Sequence, residues 1–152
     1  GKIEAGRVDK RSLISAVDLL PTFCEIAGAS LPKNYTPDGV SQLETLKGKV
    51  APLRGKPLFW KSSARYPAPK SRPDHWVSYA VVHQHWKLVG NRDGSHFELF
   101  DIAEDPYEKN DLKGSKPDIA EALLKQIEDW KATLPPKPRG NVFSAERATL
   151  KK

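Results

Sequence analysis

Between Ser12 and Gly28 the chain reads SLISAVDLLPTFCEIAG, and no other stretch restricts the possible folds as much. Leu13, Ile14, Ala16 and Val17 form an apolar run that predicts a short buried strand. Asp18 then offers a side-chain oxygen to the first free N–H groups of a helix. Pro21 falls inside the first turn, where a missing N–H costs nothing. Leu19, Leu20, Phe23, Ile26 and Ala27 recur at helical spacing, and Gly28 is placed to act as a left-handed cap. A strand running directly into a capped amphipathic helix reads as a piece of α/β core.

The following residues change character. ASLPKNYTPDG, 29–39, carries two prolines and a glycine and reads as an irregular connection. Ser41, with Glu44 three residues on, predicts a capping box for a short helix that ends at Gly48. Pro52 and Gly55 mark a boundary near 51–56. Beyond it, Pro57–Lys61, Trp76–His83, His85–Gly90 and Phe97–Ile102 read as four strands, with an Asp-Gly turn in NRDGS, 91–95. Residues 62–75 form a long loop with three prolines and the bases Arg65, Lys70 and Arg72.

Ser115 is placed to cap the last helix, with Pro117 in its first turn and Asp118 completing a box. Ile119, Leu123, Ile127, Trp130 and Leu134 then make a stripe about four turns long, flanked by Ala120 and Leu124, and Pro135-Pro136 ends it. The expected class is α+β: a four-stranded antiparallel sheet packed on a C-terminal helix, preceded by a strand–helix piece of a larger α/β domain. Trp60, Trp76, Trp86 and Trp130 are expected in the core.

Charge and cysteine content narrow the function. The net charge is +6, but residues 137–152 hold Lys137, Arg139, Arg147, Lys151 and Lys152 against Glu146, an excess of four. The rest is close to neutral, which argues against nucleic acid as partner. No apolar run approaches the roughly 20 residues of a membrane helix. The single cysteine, Cys24, excludes an internal disulfide and reads as an inert, buried thiol.

Six segments in one order resemble sulfatases of the arylsulfatase type. GKIEAGRV (1–8) is similar to their P-G-x-I-x-x-G stretch, and VDLLPT…AG (17–28) to the signature that follows it. DGVSQLETLKGK (38–49) resembles D-G-x-S…L…G, and RGKPLFWK (54–61) resembles a P-L-F-W strand. YAVVHQHWKLV (79–89) resembles the A-V-R-x-G-x-W-K-L hairpin, and FELFDIAEDPYEKNDL (97–112) the E-L-Y-D-L-x-x-D-P-x-E-x-x-N-L turn. The resemblance implies that residues 1–50 end the large α/β domain and that 51–136 form the small C-terminal subdomain; the excess charge of 137–152 reads as a basic, flexible tail. It implies a sulfuric ester hydrolase acting on a sulfated sugar or other sulfate ester, with calcium and formylglycine in the parent enzyme, and an N-terminal catalytic part of the same protein as partner. It also implies a periplasmic or secreted location.

The catalytic groups of that family precede the V-D-L-L-P-T helix, so no catalytic or metal-binding residue is expected here. Cys24 is followed by Glu25-Ile26-Ala27-Gly28, not by the x-P/A-S-R context of a formylglycine precursor. Zinc spacing, phosphate-cradling loops and nucleophile elbows are missing from the sequence, and Ser62, Ser63 and His75 lack a third partner. Asp101, Glu104, Asp105 and Glu108 do not follow EF-hand spacing and read as a solvated turn, as does Asp38. The candidates for substrate contact are His83 and His85 at a hairpin tip, with Trp86 expected on the opposite face, and Arg65 and Arg72 on a loop suited to bidentate sulfate contacts. An arginine is common in the family where Val82 stands. The competing expectation is a stand-alone polyanion-binding module using loop 61–72 and the basic tail.

Overall fold

The structure, a computed structural model, describes residues 3, 5–9, 12–49, 54–62 and 77–135. Strands β1 (Leu58–Lys61), β2 (Tyr79–His83), β3 (Trp86–Gly90) and β4 (Phe97–Asp101) form one antiparallel sheet in sequence order. Helix α3 (Pro117–Thr133) lies on one face. This is the α+β arrangement that the alternating strands and the apolar stripe predict.

Register sorts the side chains. Phe59, Val81, Leu88 and Leu99 pair across the four strands and face α3. They meet Ala120, Leu123 and Ile127, with Leu112, Ile119, Leu124 and Trp130 around the margin. Phe59 stacks on Trp130, ring centroids 5.0 Å apart, and Tyr79 meets the same indole edge-on. Leu88, Leu99 and Val81 are fully buried, each contributing about 1.5–3 kcal/mol from transfer alone. The opposite face is buried as well, through Leu58, Val82, Val89 and Phe100. Lys87 on that face pairs with Glu108, which draws the 102–110 turn beneath it. The outer edge of β4 is closed by Leu112, whose N–H reaches Leu99 O, and by the Asp111 carboxylate, which accepts the Leu99 N–H. Trp60 departs from expectation: it is 44% exposed on β1 rather than in the core. Trp76 lies outside the described residues.

The first fifty residues depart further. Residues 12–15 form no strand; the chain turns through a 3₁₀ segment, Ala16–Asp18, into helix α1 (Leu19–Ala27). The backbone is satisfied locally there: Asp18 N–H reaches Ser15 O, and Ser15 N–H reaches Asp18 Oδ2. Asp18 is already helical and its carboxylate does not cap α1. Instead it sits 1% exposed, accepting from Ser15 N–H, from Val40 N–H and, through both oxygens, from Arg54 Nη1 at 2.8 and 2.9 Å. Arg54 Nε donates to Lys56 O, and Thr22 Oγ1 bridges Asp18 O to Gln42 N–H. One buried ion pair therefore fixes α1, the 38–42 loop and the entry to β1.

Gly39 lies against this turn. A Cβ there would meet Val17 O at 2.0 Å, so glycine is required by close approach. Gly28 (φ +65°) caps α1 as predicted. The two predicted capping boxes do not form. Helix α2 (Leu43–Leu46) starts from Gln42, while Glu44 turns to Lys47 and Lys49. Helix α3 starts from Lys116, with Pro117 at its first position, and the Ser115 hydroxyl donates to Leu112 O instead. In both places a nearer acceptor or cation captures the side chain. No helix among the described residues is long and apolar enough to cross a membrane.

Three measurements test this account. Asp18→Asn leaves a buried guanidinium without its counter-charge and is expected to cost about 3–5 kcal/mol in urea unfolding; adding Arg54→Met should recover much of that loss. Gln84 turns the β2–β3 hairpin at φ +57°, so Gln84→Gly should raise stability by about 1 kcal/mol by removing left-handed strain. Asp111 is a pH test. Burial would raise its pKa, but the N–H groups of Lys113 and Leu99 and the Lys113 ammonium outweigh this and hold it below 3.8. Its stabilisation is therefore present above that value and lost as pH falls through the lowered folded pKa. Asp111→Asn should flatten the fall in stability between pH 5 and pH 2.

Candidate functional site

The hairpin joining β2 to β3 is a two-residue turn, Gln84-His85, flanked by the ladder pair His83 and Trp86. Two-residue turns between right-twisted strands favour positive φ at the first turn position. Gln84 adopts it at +57° although it is not glycine. In the hairpin motif that this segment resembles, glycine occupies this place.

Two of the four candidate substrate contacts meet at this tip. His83, half-buried, lies on the α3 side of β2, and its Nδ1 is 3.2 Å from Nε2 of Gln126 on α3. His85 belongs to the turn itself. Its Nε2 is 3.8 Å from Asp101 Oδ2, and its ring tilts against Trp86 with centroids 4.8 Å apart. Trp86 shares the face of His83, because the turn places the two in register; the expected opposite placement is corrected by the ladder. Arg65 and Arg72 lie outside the described residues, as do Ser63, Lys70, His75 and the tail 137–152.

Gln126 was not legible as a site residue, although a signal exists. It falls between Leu123 and Trp130 at helical spacing, one polar side chain on an otherwise apolar stripe. Such a residue needs a polar partner across the interface, and His83 supplies it. The amide Oε1 is buried without a partner.

The acidic residues that follow β4 act on the backbone. Asp101 Oδ1 accepts from Ala103 and Glu104 N–H, and Asp105 Oδ2 accepts from Lys109 and Asn110 N–H and from the Asn110 amide. Desolvation works against the Asp105 carboxylate, yet these donors hold its pKa below the ordinary range. The solvated-turn reading accounts for the cluster. Among the described residues no group of three or more His, Cys, Asp or Glu side chains is arranged to hold a metal ion. Cys24 on α1 is half-buried rather than buried as expected, because the apolar side of that helix is exposed.

Comparison with known proteins places this geometry. The family described as "N-sulphoglucosamine sulphohydrolase, C-terminal" matches residues 1–133. Arylsulfatase K of Xenopus laevis is 28% identical over 122 residues, 76% of this chain and 22% of that protein. The ulvan-active sulfatase of Formosa agariphila is 29% identical over 161 residues, 87% of this chain and 30% of that protein. The solved structure "Crystal structure of Ps i-CgsB in complex with k-i-k-neocarrahexaose" superposes with a TM-score of 0.60 at 25% identity, covering 77% of this chain and 24% of that one. The chain thus spans between a fifth and a third of the length of these relatives. With the family matched over almost all of the described residues, the chain belongs to the sulfatases and corresponds to their C-terminal portion.

Proposed function

We propose that this chain is the supporting end-piece of a longer sulfatase that hydrolyses a sulfate ester on a sulfated sugar. In this reading residues 1–50 complete a large α/β domain, and residues 51–136 form a subdomain whose β2–β3 tip contributes one wall of the substrate cleft. His83 and His85 contact the sugar or its sulfate there, and Arg65 and Arg72, between β1 and β2 in sequence, are further candidate sulfate contacts. The catalytic centre, with its formylglycine and calcium, belongs to the preceding part of the protein. A sulfated-sugar substrate is supported by a relative named for ulvan and by a similar structure described with a neocarrahexaose.

The observation that carries the reading is the inverted burial of α1. Pro21 and Thr22 are buried, whereas Leu19, Leu20, Phe23 and Ile26 are 48–59% exposed along the other side. Four large apolar side chains on one helix face make a contiguous patch of the kind that marks an interface. The sequence-predicted apolar stripe is present, but nothing among the described residues covers it. A preceding domain of the same protein would bury that face as part of its core.

The reading makes two linked predictions. Phe23→Glu should change the stability of the 152-residue chain by no more than about 0.5 kcal/mol, as for an exposed position. In the full-length protein the same change should cost about 2 kcal/mol or more, because a carboxylate would enter an apolar interface. With an aryl sulfate ester, the full-length protein should turn over and the 152-residue chain should not exceed buffer. Calcium-dependent hydrolysis by the chain alone, or an equally small effect of Phe23→Glu in both proteins, would sink the proposal.

A further inference from the structure

The contact between α3 and the hairpin tip determines where the His83 proton sits. Gln126 Nε2 is 3.2 Å from His83 Nδ1. An amide nitrogen only donates, so Nδ1 accepts and the neutral ring carries its proton on Nε2. Rotating the amide by half a turn would move its NH2 into the buried place where Oε1 now lacks a partner. That exchange would bury both amide N–H donors without a partner, whereas the present orientation pairs one of them and leaves the carbonyl as the buried orphan, which is the cheaper one. His83 Nε2 is not among the buried polar atoms lacking a partner, and no hydrogen bond to it is found among the described residues, so within them it is open to solvent.

Charged groups lie near the tip on both faces of the sheet. His85 lies beside Asp101, and Lys87 pairs with Glu108 on the far face of the sheet. A metal ion would need a free lone pair on Nε2, which this tautomer does not have. An acceptor oxygen suits it. We infer that Gln126 is a positioning residue that fixes His83 as a hydrogen-bond donor, through Nε2–H, toward a hydroxyl or sulfate oxygen of the sugar at the β2–β3 tip. The inference rests on the proposed role of His83 as a substrate contact.

Nitrogen-15 spectra of the 152-residue chain at neutral pH should show the His83 proton on Nε2 and a through-hydrogen-bond coupling from Gln126 Nε2 to Nδ1. Gln126→Met should abolish the coupling with the fold intact, and Gln126→Glu should bring a proton onto Nδ1. A proton on Nδ1 in the wild-type chain overturns the inference. In the full-length sulfatase, assayed on a sulfated disaccharide, Gln126→Met should raise KM about fivefold, the loss expected for one hydrogen bond, with kcat nearly unchanged. His83→Ala should raise KM at least as much, and the double variant no further. If His83→Ala alone leaves KM unchanged, the substrate-contact reading fails and takes the inference with it. If His83→Ala raises KM and Gln126→Met does not, only the positioning role of Gln126 is overturned.

Discussion

Everything N-terminal to the sheet hangs from the carboxylate of Asp18. It accepts from Ser15 on its own turn, from Val40 after the proline-rich connection, and from Arg54 at the entry to β1. Three stretches distant in sequence thereby share one buried charge centre. Such a pair gains little net stability over an apolar substitute, because both ions must be stripped of water. Its effect is specificity: an unmatched aspartate or arginine in that position is costly, so alternative placements of residues 37–42 and 54–56 are disfavoured. Arg54 Nη2 lacks a partner even so, which makes the Asp18 contacts harder to replace.

The sheet–helix unit was legible because its signals are periodic and redundant. Val81, Leu88 and Leu99 belong to strands that alternate over several residues, and Leu123 and Ile127 recur along four turns, so a single misjudged position changes little. Capping residues carry no such redundancy. Ser115, Glu44 and Asp18 were each read from one side chain, and each was captured by a competing partner: Leu112 O, the Lys47 and Lys49 ammonium groups and the Arg54 guanidinium. The expected strand at Ser12–Val17 failed for a related reason. Apolar character predicts burial, but a strand also requires a neighbour, and local bonds between Ser15 and Asp18 closed a turn instead.

The candidate site was legible only in part. Two histidines around a turn are visible in any reading of VVHQHW, yet their surroundings come from β4 and α3, eighteen and forty-three residues away from His83. Parity along a strand also fails at a hairpin. Alternation would have set Trp86 opposite the histidines, whereas the two-residue turn restores register and puts His83 and Trp86 side by side. That placement matters chemically. Trp86 fills the space beside His85, and Gln126 holds His83, so the two imidazoles are oriented by groups on different elements.

The two halves of the chain show opposite relations between pattern and burial, and that contrast bears on how the protein works. In α3 the apolar stripe predicted from sequence is the buried one, and the sheet it covers is also buried on its other face. In α1 the stripe is equally clear, but the buried side is the one carrying Pro21 and Thr22. An apolar stripe of that kind is what a covered helix face carries, and among the described residues the α1 stripe is left exposed. At the β2–β3 tip, by contrast, the described residues orient the histidines from three elements: Gln126 on α3, Asp101 at the end of β4 and Trp86 on β3. In the proposed end-piece, the tip supplies part of the substrate wall, and the uncovered face of α1 is the surface that the preceding domain would cover.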